Sequence, residues 1–321
     1  MKLITFKDIQ DLDISASTCY LWVAEMIQKK KDALLHPKIS MKPSGDIFCN
    51  VMPSMIKENG EYRWCGVKIV TRYPNRIPSL ESNIMLMDGR NGEMLALMDG
   101  TWITAMRTGA VAAHSIMLFG KSGFSIIGMM GLGNVSRASL LVLAEQMPDR
   151  ELHIKLLKYK NQAEDFALRF SEYSNLKFTI VDTYEEMVKG SDVVISGATY
   201  LPEDICSDDC FEKGVLVVPI HTLGFTNCDL FFDKIFGDDT GHIAHFRNFD
   251  RFKSFAEVSD VVNNIARGRE NDDERILAYN IGISVHDIFF ASKIYRLMEE
   301  KGLLSSLPEV DLKEPNDKFW I

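Results

Sequence analysis

Ser125-Ile126-Ile127-Gly128-Met129-Met130-Gly131-Leu132-Gly133-Asn134-Val135-Ser136 is the stretch whose reading decides the fold. An apolar run of strand length ends in Gly131-Leu132-Gly133, and Arg137 to Met147 then has the character of a helix. Strand, glycine turn and helix form the opening unit of a dinucleotide-binding βαβ fold. Gly131 would permit the tight turn, and Gly133 would let a pyrophosphate approach the backbone at the helix N-terminus. Ser136 takes the third glycine position and is small enough for close helix-strand packing. The bland alternative is an ordinary strand-helix turn, because Gly-x-Gly arises often by chance.

Downstream, the alternation is regular. Strands at 125–131, 152–157, 176–181, 192–197 and 214–220 are separated by helices at 134–147, 161–173 and 183–189. Short crossovers between apolar strands imply a parallel sheet covered on both faces. The chain at 233–260 is less regular, and one amphipathic helix is expected over about Glu274–Lys301. Upstream the pattern differs. A strand at Lys2–Phe6 and a helix at Ala16–Lys31, with Leu21, Ala24 and Ile27 on one face, precede short strands at Ile47–Met52, Trp64–Val70 and Ile84–Asp88. Asn91-Gly92 between Met85–Met87 and Met94–Met98 signals a hairpin. Thr101 or Thr104 would cap a helix running through Arg107 to Leu118. The fold class is therefore α/β: a Rossmann domain at 120–275, and an N-terminal α+β segment at 1–119 completed by the C-terminal segment 276–321, which contains the last helix.

Composition bounds the function. A net charge of -9 argues against a general nucleic-acid binder. No apolar run reaches transmembrane length. Cys19, Cys49, Cys65, Cys206, Cys210 and Cys228 include no Cys-x-x-Cys pair, and with no signal peptide they are expected to be reduced thiols of a cytoplasmic protein.

Several residues are candidates for chemistry. Lys158 and Lys160 follow the second Rossmann strand, where an acid normally takes the ribose 2′-hydroxyl. They favour a 2′-phosphate and hence NADP over NAD, solvated loop charges being the alternative. Arg107 is the one charge in a helix of small apolar residues, suited to a two-pronged grip on a carboxylate or to a structural ion pair. Lys68 alternates with apolar neighbours and faces either solvent or a pocket. His221 follows strand 214–220 at the edge where parallel sheets bind ligands, placing it for acid-base work or for a plain backbone hydrogen bond. Asp238-Asp239-x-x-His242-x-x-His245 lacks a further spaced ligand, so no metal is expected. Phe246, Phe249, Phe252 and Phe255 at helical spacing are expected in the core.

Leu97-Met98-Asp99-Gly100-Thr101-Trp102-Ile103-Thr104-Ala105-Met106-Arg107-Thr108-Gly109-Ala110 resembles the signature of the ornithine cyclodeaminase/μ-crystallin family. Met52-Pro53, Gly66-Val67-Lys68, Ile77-Pro78-Ser79, the Gly131-Leu132-Gly133 turn and Ile281-Gly282-Ile283-Ser284-Val285-His286-Asp287 match it in the same order, over about residues 37–296. The resemblance implies a substrate-binding and dimerisation domain, a Rossmann domain holding NAD or NADP, and a homodimer. It implies that Lys68 and Arg107 bind the substrate carboxylate, with Lys38 where the family often has an Arg that also reaches it. Ser79 and Thr108 would lie near the nicotinamide or its phosphates. Gly131, Gly133, Asn134 and Val135 would line the pyrophosphate turn, and Ala198 and Thr199 would border the cofactor.

Departures from the family pattern bear on the substrate. Cyclodeaminases carry a Glu two residues before Met-Pro, for the distal amine of ornithine, and here that residue is Asn50. They carry an Asp in the loop of His221, and their following Pro-Gly-Lys run is Leu223-Gly224-Phe225 here. The expected function is an NAD(P)-dependent oxidoreductase acting on the C–N bond of a small amino acid or its imine, of amino acid dehydrogenase or ketimine reductase type. His221 would exchange the proton on nitrogen. The alternatives are an ornithine cyclodeaminase using NAD as a redox shuttle and a small-molecule binding protein that retains NADPH.

Overall fold

The computed structural model describes residues 1–44, 47–198, 201, 203–220, 225 and 228–312, and the chain divides into two compact units. One comprises Met1–Asp13, Asp32–Ile103 and the chain from Asp287 onward; the other comprises Ile14–Lys31 and Thr104–His286. No helix is long and apolar enough to cross a membrane among the described residues.

The first unit is built on a seven-stranded sheet. Its strands are β1 (Lys2–Ile4), β2 (Leu34–Leu35), β3 (Ile39–Ser44), β4 (Ile47–Glu58), β5 (Glu61–Arg72), β6 (Leu80–Asp88) and β7 (Met94–Asp99). They lie in the order β1-β7-β6-β5-β4-β2, with β3 also paired to β4. β4 and β5 are longer than expected because Asn59-Gly60, both at positive φ, joins them in a two-residue hairpin with Glu58 opposite Glu61. The Asn91-Gly92 hairpin also forms, through a less regular connection between Met87 and Met94. Alternation puts Met52, Ile56, Trp64, Val70, Ile84, Leu86, Ala96 and Met98 on one buried face. The helix Ser284–Glu300 crosses this face from Asp287 onward: Tyr295 packs edge-on to Trp64, and Arg296 lies over the Trp64 ring at 5.1 Å. Gly66 is required beneath it, because a Cβ there would come 2.6 Å from Ile288 Cδ1 and 2.5 Å from the Met85 carbonyl.

The second unit carries an eight-stranded parallel sheet. Its strands are β8 (Ile126–Met130), β9 (Leu152–Leu157), β10 (Leu176–Val181), β11 (Val193–Ser196), β12 (Leu216–Pro219), β13 (Lys234–Gly237), β14 (Phe255–Glu257) and β15 (Ile276–Tyr279), in the order β10-β9-β8-β11-β12-β15-β13-β14. The chain winds outward from β8 in one direction and from β11 in the other, so a topological switch point lies between those two strands. This is the Rossmann arrangement. The central strands are buried at every residue but Ile126, as a parallel sheet covered on both faces requires.

Three expectations are corrected. The helix expected over Glu274–Lys301 is a strand followed by a helix. Ile276, Leu277, Ala278 and Tyr279 are buried on both sides between β12 and β13, and Gly282 at φ +80° separates them from Ser284–Glu300. In the N-terminal helix, Ala16–Lys29, the buried face is Cys19, Trp22, Val23, Met26 and Ile27, while Leu21 is exposed. That helix belongs to the second unit, where the Ser17 amide donates to Glu145 at 2.9 Å. The helix Thr101–Phe119 is capped by Asp99, which accepts from the Thr101 amide, in place of Thr101 or Thr104. The phenylalanines fall as expected: Phe246 is core, and Phe249, Phe252 and Phe255 pack against it.

Candidate active site

In the second unit, the glycine turn sits at the switch point. Gly131 ends β8 at φ +71°, and a Cβ on it would lie 2.3 Å from both the Gly197 carbonyl carbon and the Ala198 nitrogen, just past the end of β11. Only glycine fits there. Gly133 is the N-cap of the 13-residue helix Asn134–Gln146 and makes no side-chain cap, and a Cβ on it would meet nothing within 4 Å. The turn therefore leaves open space in front of unsatisfied amides at the positive end of a helix dipole, the chemistry that suits a pyrophosphate. Asn134 and Val135 form the first turn, and Asn134 is exposed. Ser136 is buried and donates from Oγ to the Gly131 carbonyl at 2.7 Å, which fixes the turn's shape.

The helix carrying Arg107 approaches this one closely. A Cβ on Gly109 would be 2.5 Å from the Ala138 carbonyl carbon, so the glycine of the Arg107-Thr108-Gly109 run serves helix-helix contact. Thr108 is buried and donates to the Thr104 carbonyl at 2.6 Å, engaged by its own helix. Arg107 is 4% exposed. Facing it is Gly282, where a Cβ would come 2.5 Å from Nη1.

Lys158 is exposed and lies 3.6 Å from Asp182, a contact worth little in water. Lys160 reaches over the Tyr159 ring at 5.3 Å. Arg137 stands in the first turn of the helix after Gly133. Burial lowers its pKa, the charge of Arg169 lowers it further, and Asp165 opposes both.

In the first unit, Lys68 is the buried cation. Its ammonium lies 2.7 Å from the Asp287 carboxylate, with side chains 1% and 0% exposed. Of the two readings open for Lys68, solvent or interior, the structure shows the interior. Asp287 stands in the first turn of Ser284–Glu300, where the helix dipole favours a carboxylate. The pairing was not legible in sequence, because nothing local marks a residue 219 positions away as the partner of Lys68. Asn50 is on the same sheet face, paired in register with Val70 two residues along β5 from Lys68. It is 8% exposed, and its Oδ1 makes no hydrogen bond among the described residues. Lys38, half-buried, precedes β3, and Ser79 follows the cis Ile77-Pro78 bond and accepts from the Tyr73 amide through its carbonyl at 2.9 Å.

Arg107, Thr108, Gly131, Gly133, Asn134, Val135, Lys158 and Ala198 thus belong to the second unit, and Lys38, Asn50, Lys68 and Ser79 to the first. His221 and Thr199 lie outside the described residues. Of the Asp238–His245 motif, His242 Nδ1 lies 2.8 Å from Asp239, whose carboxylate also pairs with Lys30 at 2.8 Å. These contacts knit the helix Ala16–Lys29 to β13.

Comparisons with known proteins bear on this arrangement. The chain is 27% identical over 283 residues to the nodulation efficiency protein NfeD of Rhizobium meliloti, covering 83% of this chain and 85% of that protein. It is 26% identical over 263 residues to a Delta(1)-pyrroline-2-carboxylate reductase of Bacillus cereus, covering 74% and 78%. Its fold superposes with a TM-score of 0.83 on the Thermococcus litoralis Delta(1)-pyrroline-2-carboxylate reductase solved with NADH and L-proline, at 22% identity and over 94% and 98% of the two chains. A family model matches residues 23–302, and the chain belongs to the ornithine cyclodeaminase/mu-crystallin family.

Proposed function

We propose that the protein is an NAD(P)-dependent oxidoreductase that interconverts a small 2-imino acid and the corresponding amino acid. A cyclic imine such as 1-pyrroline-2-carboxylate is the substrate class that its reductase relatives suggest. The observation that carries the reading is that this family member buries two basic side chains, Arg107 at 4% exposure and Lys68 paired with Asp287 at 2.7 Å. Buried cations at this cost suit recognition of an anion.

Arg107 grips the substrate carboxylate through two parallel hydrogen bonds, and Lys68 is the second cation directed to it. Lys38 and Asn50 complete the substrate contacts. His221 exchanges the proton on the substrate nitrogen, the general acid-base work to which an imidazole is suited. Gly131, Gly133, Asn134 and Val135 hold the dinucleotide pyrophosphate, bordered by Ala198 and Thr199, with Ser79 and Thr108 nearer the nicotinamide. The nicotinamide, when bound, supplies or takes the hydride. Lys158 favours NADPH over NADH.

Asn50 argues against a diamine substrate. A neutral amide offers no charge to the distal ammonium that a carboxylate would bind. The outward face of the first unit's sheet, with Val67, Ile69, Met85 and Leu97 half-buried or exposed, supports a homodimer through that face. A cytoplasmic setting fits the free thiols of Cys19, Cys49, Cys65, Cys206 and Cys210. The test is a screen of cyclic imines, 2-oxo acids with amines, and amino acids, followed at the nicotinamide absorbance. Turnover of a carboxylate-bearing imine supports the reading. Tight cofactor binding with no turnover of any of them makes the chain a binding protein instead.

A further inference from the structure

The Asp238–His245 motif reads from sequence as a poor metal site, and it has another use. Asp238 ends β13, next to β15 in the sheet, with Gly237 opposite Tyr279. The loop leaving β15 turns at Gly282 into the helix Ser284–Glu300. The Asp238 carboxylate accepts the Gly282 amide at 2.8 Å. Gly282 lies against the Arg107 guanidinium: a Cβ would sit 2.5 Å from Nη1, 3.1 Å from Nη2 and 3.3 Å from Cζ. The guanidinium therefore rests on the bare backbone of a left-handed glycine, and Asp238 pins that backbone. The surroundings fit a carboxylate held for a purpose. Asp238 is buried, burial pushes its pKa up, and the hydrogen bond from the Gly282 amide and the charges of Arg107, Lys30 and His242 oppose that rise. Tyr279 and Asn280, which lead into the turn, are also tied down: Tyr279 Oη donates to Asp229 at 3.2 Å, and Ser115 donates to Asn280 at 3.0 Å.

We infer that Asp238 is a positioning residue for Arg107: by holding the Gly282 amide it fixes the backbone surface against which the guanidinium is oriented for the substrate carboxylate. It acts through Gly282 and does not touch substrate. The inference rests on the proposed role of Arg107 and adds the residue that sets its geometry. A two-pronged grip is worth its full energy only when both prongs point correctly, so a small loop shift weakens carboxylate binding while leaving the cofactor turn unaffected.

The experiment measures kcat, KM and NADH affinity for wild type, Asp238→Ala, Asp238→Asn, Gly282→Ala and Arg107→Lys on 1-pyrroline-2-carboxylate, or on whichever carboxylate-bearing imine turns over fastest. Asp238→Ala and Gly282→Ala are expected to lower kcat/KM by about 10–100-fold, mainly through KM, with NADH affinity within two-fold of wild type. Asp238→Asn, which keeps the shape and an acceptor for Gly282, is expected to recover to within a few-fold. Asp238→Ala combined with Arg107→Lys is expected to be no worse than Arg107→Lys alone. Wild-type kcat/KM in Asp238→Ala or Gly282→Ala, or multiplicative losses in the double variant, overturns the inference. Asp238→Ala recovered only unfolded, with Asp238→Asn and Gly282→Ala as wild type, overturns it too, since the residue is then structural. Unaltered kcat/KM in Arg107→Lys, or a wild type inert toward every such imine, overturns the underlying reading of Arg107 and this inference with it. A loss in Arg107→Lys with none in Asp238→Ala or Gly282→Ala overturns this inference alone.

Discussion

The Lys68 ammonium and the Asp287 carboxylate meet at 2.7 Å in the interior of the first unit, both sealed from water. Either charge alone would be costly to bury, and together they form a neutral ion pair against the sheet face that also carries Asn50. Removing one partner strands the other. Asp287→Leu or Lys68→Met is expected to destabilise the protein by about 3–5 kcal/mol in urea unfolding. The double variant should recover much of that loss in stability while remaining inactive. Equal stability of all three variants and wild type would show that the pair carries no coupling.

The two glycines of the turn should respond differently. Gly133→Val places a side chain in open space, so unfolding is expected to change little while NAD(P) affinity is abolished. Gly131→Ala drives a Cβ into Gly197 and Ala198 at a left-handed residue, so it should cost about 1–3 kcal/mol of stability or more. Titration with NADH and NADPH, alongside thermal unfolding, separates the two effects. Lys158→Ala should narrow a preference for NADPH, and equal binding of NADH and NADPH by wild type would remove that role.

His114 gives an acid sensitivity. Burial lowers its pKa from 6.5 to about 4, beside Tyr20 at 5.7 Å between ring centroids. The folded state therefore binds fewer protons than the unfolded chain between about pH 4 and 6.5, and stability falls as pH drops through that window. The loss reaches about 3 kcal/mol at its lower end. Melting temperature against pH should show this slope in wild type and a flatter one in His114→Leu. Parallel curves would place the acid sensitivity elsewhere.

Ornithine is the substrate to exclude. Wild type should form no proline from it, because Asn50 offers a buried amide where a diamine needs charge. Asn50→Glu together with His221→Asp should move the enzyme toward that activity, read as proline and ammonia released without net change in NADH. Proline formation by wild type at a rate matching its best imine would reverse this assignment.

What could be read along the chain depended on how local the cause was. The turn at Gly131 was legible because strand, glycine and helix are contiguous, and the short central strands announced themselves as unbroken apolar runs. Leu21 misled because a helix face with one good residue out of phase mimics the true one at Cys19, Trp22, Val23 and Met26. The Ile276–Tyr279 strand merged with the following helix because a short apolar run carries no period of its own. In the site, Lys68 and Arg107 were visible as charges among apolar neighbours. Asp287 stood only in the family run and Asp238 only in a poor metal motif, since the partners that give them meaning, Lys68 and Gly282, are brought to them only by the fold.

The most direct test of the central claim is NADPH or NADH consumption with 1-pyrroline-2-carboxylate by wild type and Arg107→Lys, with product amino acid quantified. The account predicts one proline formed for each reduced nicotinamide consumed, and a loss of about 2–3 kcal/mol in kcat/KM for Arg107→Lys, whose charge is kept and whose fork geometry is not. Reduction that proceeds equally well in Arg107→Lys would contradict it, as would cofactor held tightly with no oxidation by this or any other carboxylate-bearing imine.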